Sequence, residues 1–270
     1  GFTASEYARA KANYLTQLES QYNERSKMKN EQFVNSYVRH FIDNEPIPGI
    51  EAEYALMNQV VPNIPVEYVN SIIPTLVADS NCVVCIFMPE KDGIVYPTEQ
   101  SILSSIEKVK KEDITAYVDK VSDEPLIKET PKAGKIIKTE KGEYGSTILT
   151  LSNGARVIIK PTDFKADEVL LRAYSPGGSS LFPDSEVVNI LNIDGVMNAG
   201  GLGNFSSTNL VKALAGKKVS LNSSIGGLTE NVSGSSSPKD LETLMQLLYL
   251  SFTAPRMDQD AFTSFKTRMK

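Results

Sequence analysis

Thr147-Ile148-Leu149-Thr150-Leu151-Ser152-Asn153-Gly154-Ala155-Arg156-Val157-Ile158-Ile159 carries the plainest structural signal in the chain. Two β-rich runs flank Ser152-Asn153-Gly154, and Asn-Gly tolerates the positive φ angles that a tight hairpin demands. The stretch predicts an antiparallel pair that ends at Pro161. Reading outward, a third strand is expected over 168–174, running into Pro176-Gly177-Gly178. A helix over 184–198, the loop Gly200-Gly201-Leu202-Gly203 and a short helix over 208–214 follow. Two more strands are expected near 218–224 and 228–233. Ser237-Pro238-Lys239-Asp240 then supplies the cap, the first-turn proline and the N3 carboxylate of a helix start. Leu241, Leu244, Met245 and Leu248 form the expected buried stripe of that helix. Residues 258–269 begin another. Short strands with tight returns, joined to helices, predict the α+β class: antiparallel sheets packed on one side by helices.

Upstream the character changes. Residues 121–144 mix Pro125, Pro131, Gly134 and Gly142 with Lys and Glu and present no helical face, which predicts an extended linker. Residues 1–120 read as mostly helical. Thr3-Ala4-Ser5-Glu6 is a capping box, followed by Tyr7, Tyr14, Leu15, Leu18 and Tyr22 at helical spacing. A second helix places Phe33, Val34, Tyr37, Val38, Phe41 and Ile42 on one face before Pro46-Ile47-Pro48-Gly49 stops it. Further helices are expected over 50–60, after Asn63 with Pro65 in the first turn, over 98–110, and over 113–119. Between them Cys82-Val83-Val84-Cys85-Ile86-Phe87-Met88 reads as a buried strand. A Lys91-Asp92-Gly93 turn and a short strand at Ile94-Val95-Tyr96 follow it. The expected organisation is 1–120, a linker over 121–144, and 145–270. No Met opens the chain and its last helical pattern is unfinished, so both ends are expected to be cuts within a longer protein.

Composition narrows the chemistry. Lys and Arg total 28 against 33 Asp and Glu, a net charge of −5 with no sustained basic block, so no nucleic-acid partner is expected. No apolar run approaches the ~20 residues of a membrane-spanning helix. The only histidine, His40, sits beside Arg39 just off the apolar face of its helix, which suits a surface or capping role. A Ser-His-Asp site needs an imidazole shuttle, and hydrolytic zinc sites commonly use two or more histidines. Cys82 and Cys85 on a strand would point to opposite faces, so they could neither pair nor share an ion, and read as small core hydrophobes. Residues 198–204 are glycine-rich but lack a phosphate-loop lysine, so a flexible turn is expected. Glu186 and Asp194 read as solvated charges on one helix.

Three pieces taken together resemble the opening of a domain in the insulinase/pitrilysin-type zinc metallopeptidases. They are residues 150–158, Glu168-Val169-Leu170-Leu171-Arg172-Ala173-Tyr174 ahead of a glycine pair, and the last helices through Phe252-Thr253-Ala254-Pro255-Arg256. Residues 1–120 are similar to the closing helices and strand of the preceding domain. The resemblance implies the LuxS/mitochondrial-processing-peptidase-like fold, with four homologous domains, or two chains of two, around a chamber and only the first catalytic. In active members the helix after the glycine pair carries H-x-x-E-H, whose two histidines and a later Glu hold zinc while the motif's Glu activates water. Here that helix has no histidine.

The implied reading is a degenerate segment with no catalytic residue and no metal ligand, and with substrate-binding residues unknown. Zn2+ is expected in the parent chain, not in this segment. The expected partners are the remaining domains of the parent peptidase and unfolded peptide, held through sheet edges. The expected setting is the bacterial periplasm or cell envelope. The alternative is a scaffold or assembly module with no proteolytic role; an H-x-x-E-H elsewhere in the same chain discriminates the two.

Overall fold

The computed structural model describes residues 1–76, 81–122 and 124–269. They form two compact units, Gly1–Tyr7 with Ile64–Lys120, and Ala8–Asn63 with Val121–Lys270. Among the described residues five α-helices precede the first strand: α1 (Ala4–Asn23), α2 (Asn30–Asp43), α3 (Ile50–Val60), α4 (Val66–Leu76) and α5 (Glu99–Lys110).

In the first unit the start of α1 is the capping box that the sequence announces. Thr3 Oγ1 accepts the Glu6 N–H at 3.2 Å and the Glu6 carboxylate accepts the Thr3 N–H at 2.8 Å. Asn70 of α4 brackets Phe2, accepting its N–H at 2.7 Å and donating to its carbonyl at 3.0 Å. Thr98 caps α5 through the Ser101 N–H at 3.2 Å. Three expected elements are absent here. Residues 82–88 form no strand, and Val83, Phe87 and both cysteines are exposed. Residues 94–96 are likewise unpaired, although the turn before them closes through Ile94 N–H on the Lys91 carbonyl. A β-rich run becomes a strand only with a partner ladder, and none pairs with this one among the described residues. Residues 113–119 are not helical; seven residues are too few to repay nucleation without a packed face.

The second unit contains both sheets. The first sheet runs β1 (Ile136–Lys141), β2 (Thr147–Leu151), β3 (Arg156–Ile159), all antiparallel. β1 lies inside the stretch expected to be an extended linker, of which Asp123 falls outside the described residues. Its Ile-Ile-Lys-Thr-Glu-Lys sequence has no apolar alternation, because every residue of it is exposed. The β2–β3 hairpin holds as read, with Thr150 opposite Arg156. Its turn differs from the two-residue type: Leu151 N–H bonds the Ala155 carbonyl at 2.8 Å, and Gly154 alone takes a positive φ, +88°. That is a three-residue loop with its glycine in the left-handed position.

The second sheet has the order β4-β6-β5, from β4 (Val169–Pro176), β5 (Val219–Ile225) and β6 (Thr229–Ser236). Between β4 and β5 come α6 (Val187–Gly200) and α7 (Ser207–Ala213), and after β6 come α8 (Leu241–Thr253) and α9 (Gln259–Met269). α6 and α8 pack against this sheet, and the core is Leu244, Leu247 and Leu250 of α8 with Val232 of β6 and Phe205. The stripe on α8 is therefore 243, 244, 247 and 250; Leu241 and Met245, expected inside, are exposed. The cap explains the shift, since Ser237 Oγ accepts the Asp240 N–H at 3.1 Å and the helix proper begins only at Leu241. α2 forms as read, yet its Phe33, Val34, Tyr37, Val38, Phe41 and Ile42 are all exposed.

From Asn13 onward, α1 is held to the second sheet by a polar stripe. Asn13 Oδ1 accepts the Gly216 N–H at 2.7 Å and Thr16 Oγ1 donates to the Gly216 carbonyl at 2.8 Å. Lys218 Nζ reaches Ser20 Oγ at 2.7 Å, the Asp167 carbonyl at 2.6 Å and its carboxylate at 3.1 Å. Glu24 accepts the Asp167 N–H at 2.6 Å, and Lys239 pairs with Glu19 at 2.7 Å. The Glu19 carboxylate beside it raises the Lys239 pKa above the ordinary lysine value. That contribution is present at neutral pH and is lost as pH climbs through the raised value. Lys218→Met keeps the length of the stem but removes every donor. We expect it to cost roughly 1–2 kcal/mol and to speed amide exchange across residues 13–23. Unchanged exchange there would mean that this stripe does not hold the helix.

Candidate functional site

The two halves of the second sheet's ladder fix which backbone groups are free. Gly177 N–H bonds the Leu228 carbonyl and Gly226 N–H bonds the Thr229 carbonyl. Counting back by twos, 175, 173, 171 and 169 of β4 turn their N–H and C=O toward β6. Leu170, Arg172 and Tyr174 then turn theirs toward the open edge, where no strand pairs among the described residues. On β5 the same count leaves Ile225, Ser223, Leu221 and Val219 facing outward. One of these is already taken: the Asp194 carboxylate of α6 accepts the Ile225 N–H at 3.1 and 3.4 Å.

Side chains alternate across the sheet. The register aligns Ala173, Val232 and Ser223 in one row of the helix-facing side, and Ser175, Glu230 and Ile225 in the next. Ala173 and Ser175 are small, and between these rows, α6 and α8 lies a cavity of about 360 Å³. Asp194 and Met197 line it from α6, Phe252 from α8, and Glu230 and Val232 from the sheet. Glu230 Oε1 accepts the Gly178 N–H at 3.2 Å. This bond depends on the glycine: Gly178 has φ +64°, and a Cβ there would lie 2.4 Å from the Gly226 carbonyl oxygen. So the glycine turn after β4 is pinned to the central strand.

The residues singled out by the sequence fall as follows. His40 is exposed, and its Nδ1 meets the Glu45 carbonyl at 2.6 Å, a contact at the end of its helix. Cys82 and Cys85 are free and exposed rather than buried, since the strand that would bury them does not form. Glu186 accepts from Asn189 Nδ2 at 2.6 Å on the exposed surface. Asp194 is the correction: it is no solvated charge but the acceptor that closes the end of β5. Residues 200–205 are anchored rather than loose, with Phe205 at 2% exposure and Gly203 N–H on the Ala254 carbonyl at 2.8 Å. Among the described residues no three His, Cys, Asp or Glu side chains gather in a way that could hold a metal ion. α6 offers no imidazole or thiolate, and its Asp194 is committed to a backbone N–H, so the donor set does not fit the zinc site of an active domain.

No family model matches this chain. Among curated proteins it is 29% identical over 262 residues to "Zinc protease PQQL-like" of Arabidopsis thaliana, covering 96% of this chain. It is 21% identical over 267 residues to "Probable zinc protease PqqL" of Escherichia coli K12, covering 98%. The chain is similar to insulinase-type zinc proteases throughout its length. It spans only 25% and 29% of those two relatives' own length, as a segment of such a protease would. The crystal structure of the periplasmic protease PqqL from Escherichia coli superposes with a TM-score of 0.52 at 21% identity, over 99% of this chain and 30% of that one. At that identity the likeness concerns the fold, and it agrees with the α+β class expected from the sequence. No described helix is long and apolar enough to cross a membrane.

Asp194→Ala would leave the Ile225 N–H without its acceptor, and we expect a loss of roughly 1–3 kcal/mol in urea unfolding. Asp194→Asn keeps an acceptor and should cost less. Equal losses for the two would mean that the carboxylate is not what closes β5.

Proposed function

We propose that this chain is a non-catalytic segment of a zinc-dependent metalloendopeptidase that lines the substrate chamber and holds unfolded peptide. Residues 1–120 would close one peptidase-type domain, 121–144 would connect, and 145–270 would open the next, degenerate one. Zn2+ and the hydrolytic step belong to another part of the parent protein. Support for the protease setting is the likeness to two proteins named as zinc proteases, each about four or three times this chain's length by the shares they cover. Support for an extracytoplasmic setting is that the PqqL of known structure is a periplasmic protease.

The observation that carries the peptide-holding role is the open edge of β4. Leu170, Arg172 and Tyr174 present outward-facing backbone groups, and their side chains are exposed on the face away from the helices. An extended peptide can add there as a strand, and main-chain bonds accept any sequence, as a chamber protease requires. β5 is the poorer edge, because Asp194 already occupies the Ile225 N–H.

Arg172→Pro removes one outward N–H without touching the β6 ladder. With a labelled unfolded polypeptide in fluorescence anisotropy, it should weaken binding about tenfold. Arg172→Ala, which keeps the N–H, should bind like the parent. Undiminished binding by the proline variant would remove β4 from the account.

A further inference from the structure

The cavity beneath β4 has a charge that nothing among the described residues answers. Asp194 and Glu230 both line it, and none of the residues around it is Lys, Arg or His. Each carboxylate accepts a backbone N–H, from Ile225 and from Gly178. Among the described residues neither has an ion-pair partner. A carboxylate has about four acceptor positions, so one or two N–H bonds leave capacity to spare. The remaining walls are mixed: Met197, Val232 and the ring of Phe252, which is 69% exposed at the rim, alternate with serines such as Ser175, Ser223 and Ser251.

A cavity with two unpaired carboxylates, neutral walls and an aromatic ring matches the side chains that carry a cation on a methylene stem. The stem lies along apolar surface while the head meets carboxylate oxygens. A ring at the mouth adds attraction for the same cation. A neutral apolar side chain would enter the cavity but leave both charges unanswered; an acidic one would be repelled.

We propose that this cavity takes a lysine or arginine side chain of the peptide held on the β4 edge. A strand added to β4 points alternate side chains to the helix-facing side, where Ala173 and Ser175 are too small to close the way in. The inference rests on the peptide-holding reading above and adds a preference to it: main-chain bonds hold any sequence, and the cavity selects register by placing a basic residue.

The test uses two acetylated, amidated peptides of one extended sequence, with either lysine or norleucine at the centre. Norleucine has the stem without the charge. Binding of each to the full chain is measured by anisotropy. The lysine peptide should bind about tenfold more tightly, and the preference should shrink at high salt. In the Asp194→Asn/Glu230→Gln double variant, which keeps an acceptor for both backbone N–H groups, the ratio of the two affinities should fall to about one. Equal binding of the two peptides to the parent chain overturns the cavity's role and leaves the β4 edge standing. A preference that survives in the double variant overturns it as well. If neither peptide binds, the peptide-holding reading falls, and this inference with it.

Discussion

A β-strand has two edges and no more, and in this protein the central strand β6 spends both, on β4 and on β5. That decides the rest of the second unit. Helices α6 and α8 cover one side of the sheet, so the core of Leu244, Leu247, Leu250 and Val232 lies there. The outer edges inherit whatever β6 does not satisfy. On β5 the protein answers from within, through Asp194. On β4 no strand among the described residues pairs, and three residues' backbone groups face outward. An unpaired edge invites another chain, and proteins usually blunt one that has no use. Here the edge lies over a cavity, which a blunted edge would not need.

Helix α6 carries no histidine and has a structural duty. Asp194 satisfies a strand end and Met197 lines the cavity, so α6 braces the sheet. The packing of a helix on a sheet does not depend on imidazoles, so this architecture stands without them. The polar stripe along α1 works in the same direction. Lys218 and Asp167 bind a helix that begins far away in sequence, and they do so through hydrogen bonds that fix orientation more than they contribute to a core.

Much of this was legible in the sequence where the signal is local. The Asn153-Gly154 turn and the Thr3/Glu6 box each depend on residues within a few positions, and each forms; Ser237 also bonds Asp240, but that bond closes a turn ahead of a helix that begins only at Leu241. The elements that were misread depend on distant partners. The run at 82–88 has strand composition but no ladder among the described residues. β1 lacks an apolar alternation yet pairs, because β2 supplies the other half of its bonds. The site was hidden for the same reason. Asp194 reads as a surface charge until the fold brings the end of β5 to it. Glu230 reads as a strand residue of no account until Gly178 turns back onto it. Only the register says which residues of β4 face outward; the absence of histidine from α6 was plain from the start.

The most direct measurement is residue-resolved amide exchange of the full chain, by nuclear magnetic resonance, with and without a saturating unfolded peptide. The account predicts that Leu170, Arg172 and Tyr174 exchange fast in the free chain and slow on binding. The inward-facing amides of 171, 173 and 175 should be slow in both. If those three amides stay fast while the peptide is bound, the β4 edge is not where this protein holds its substrate.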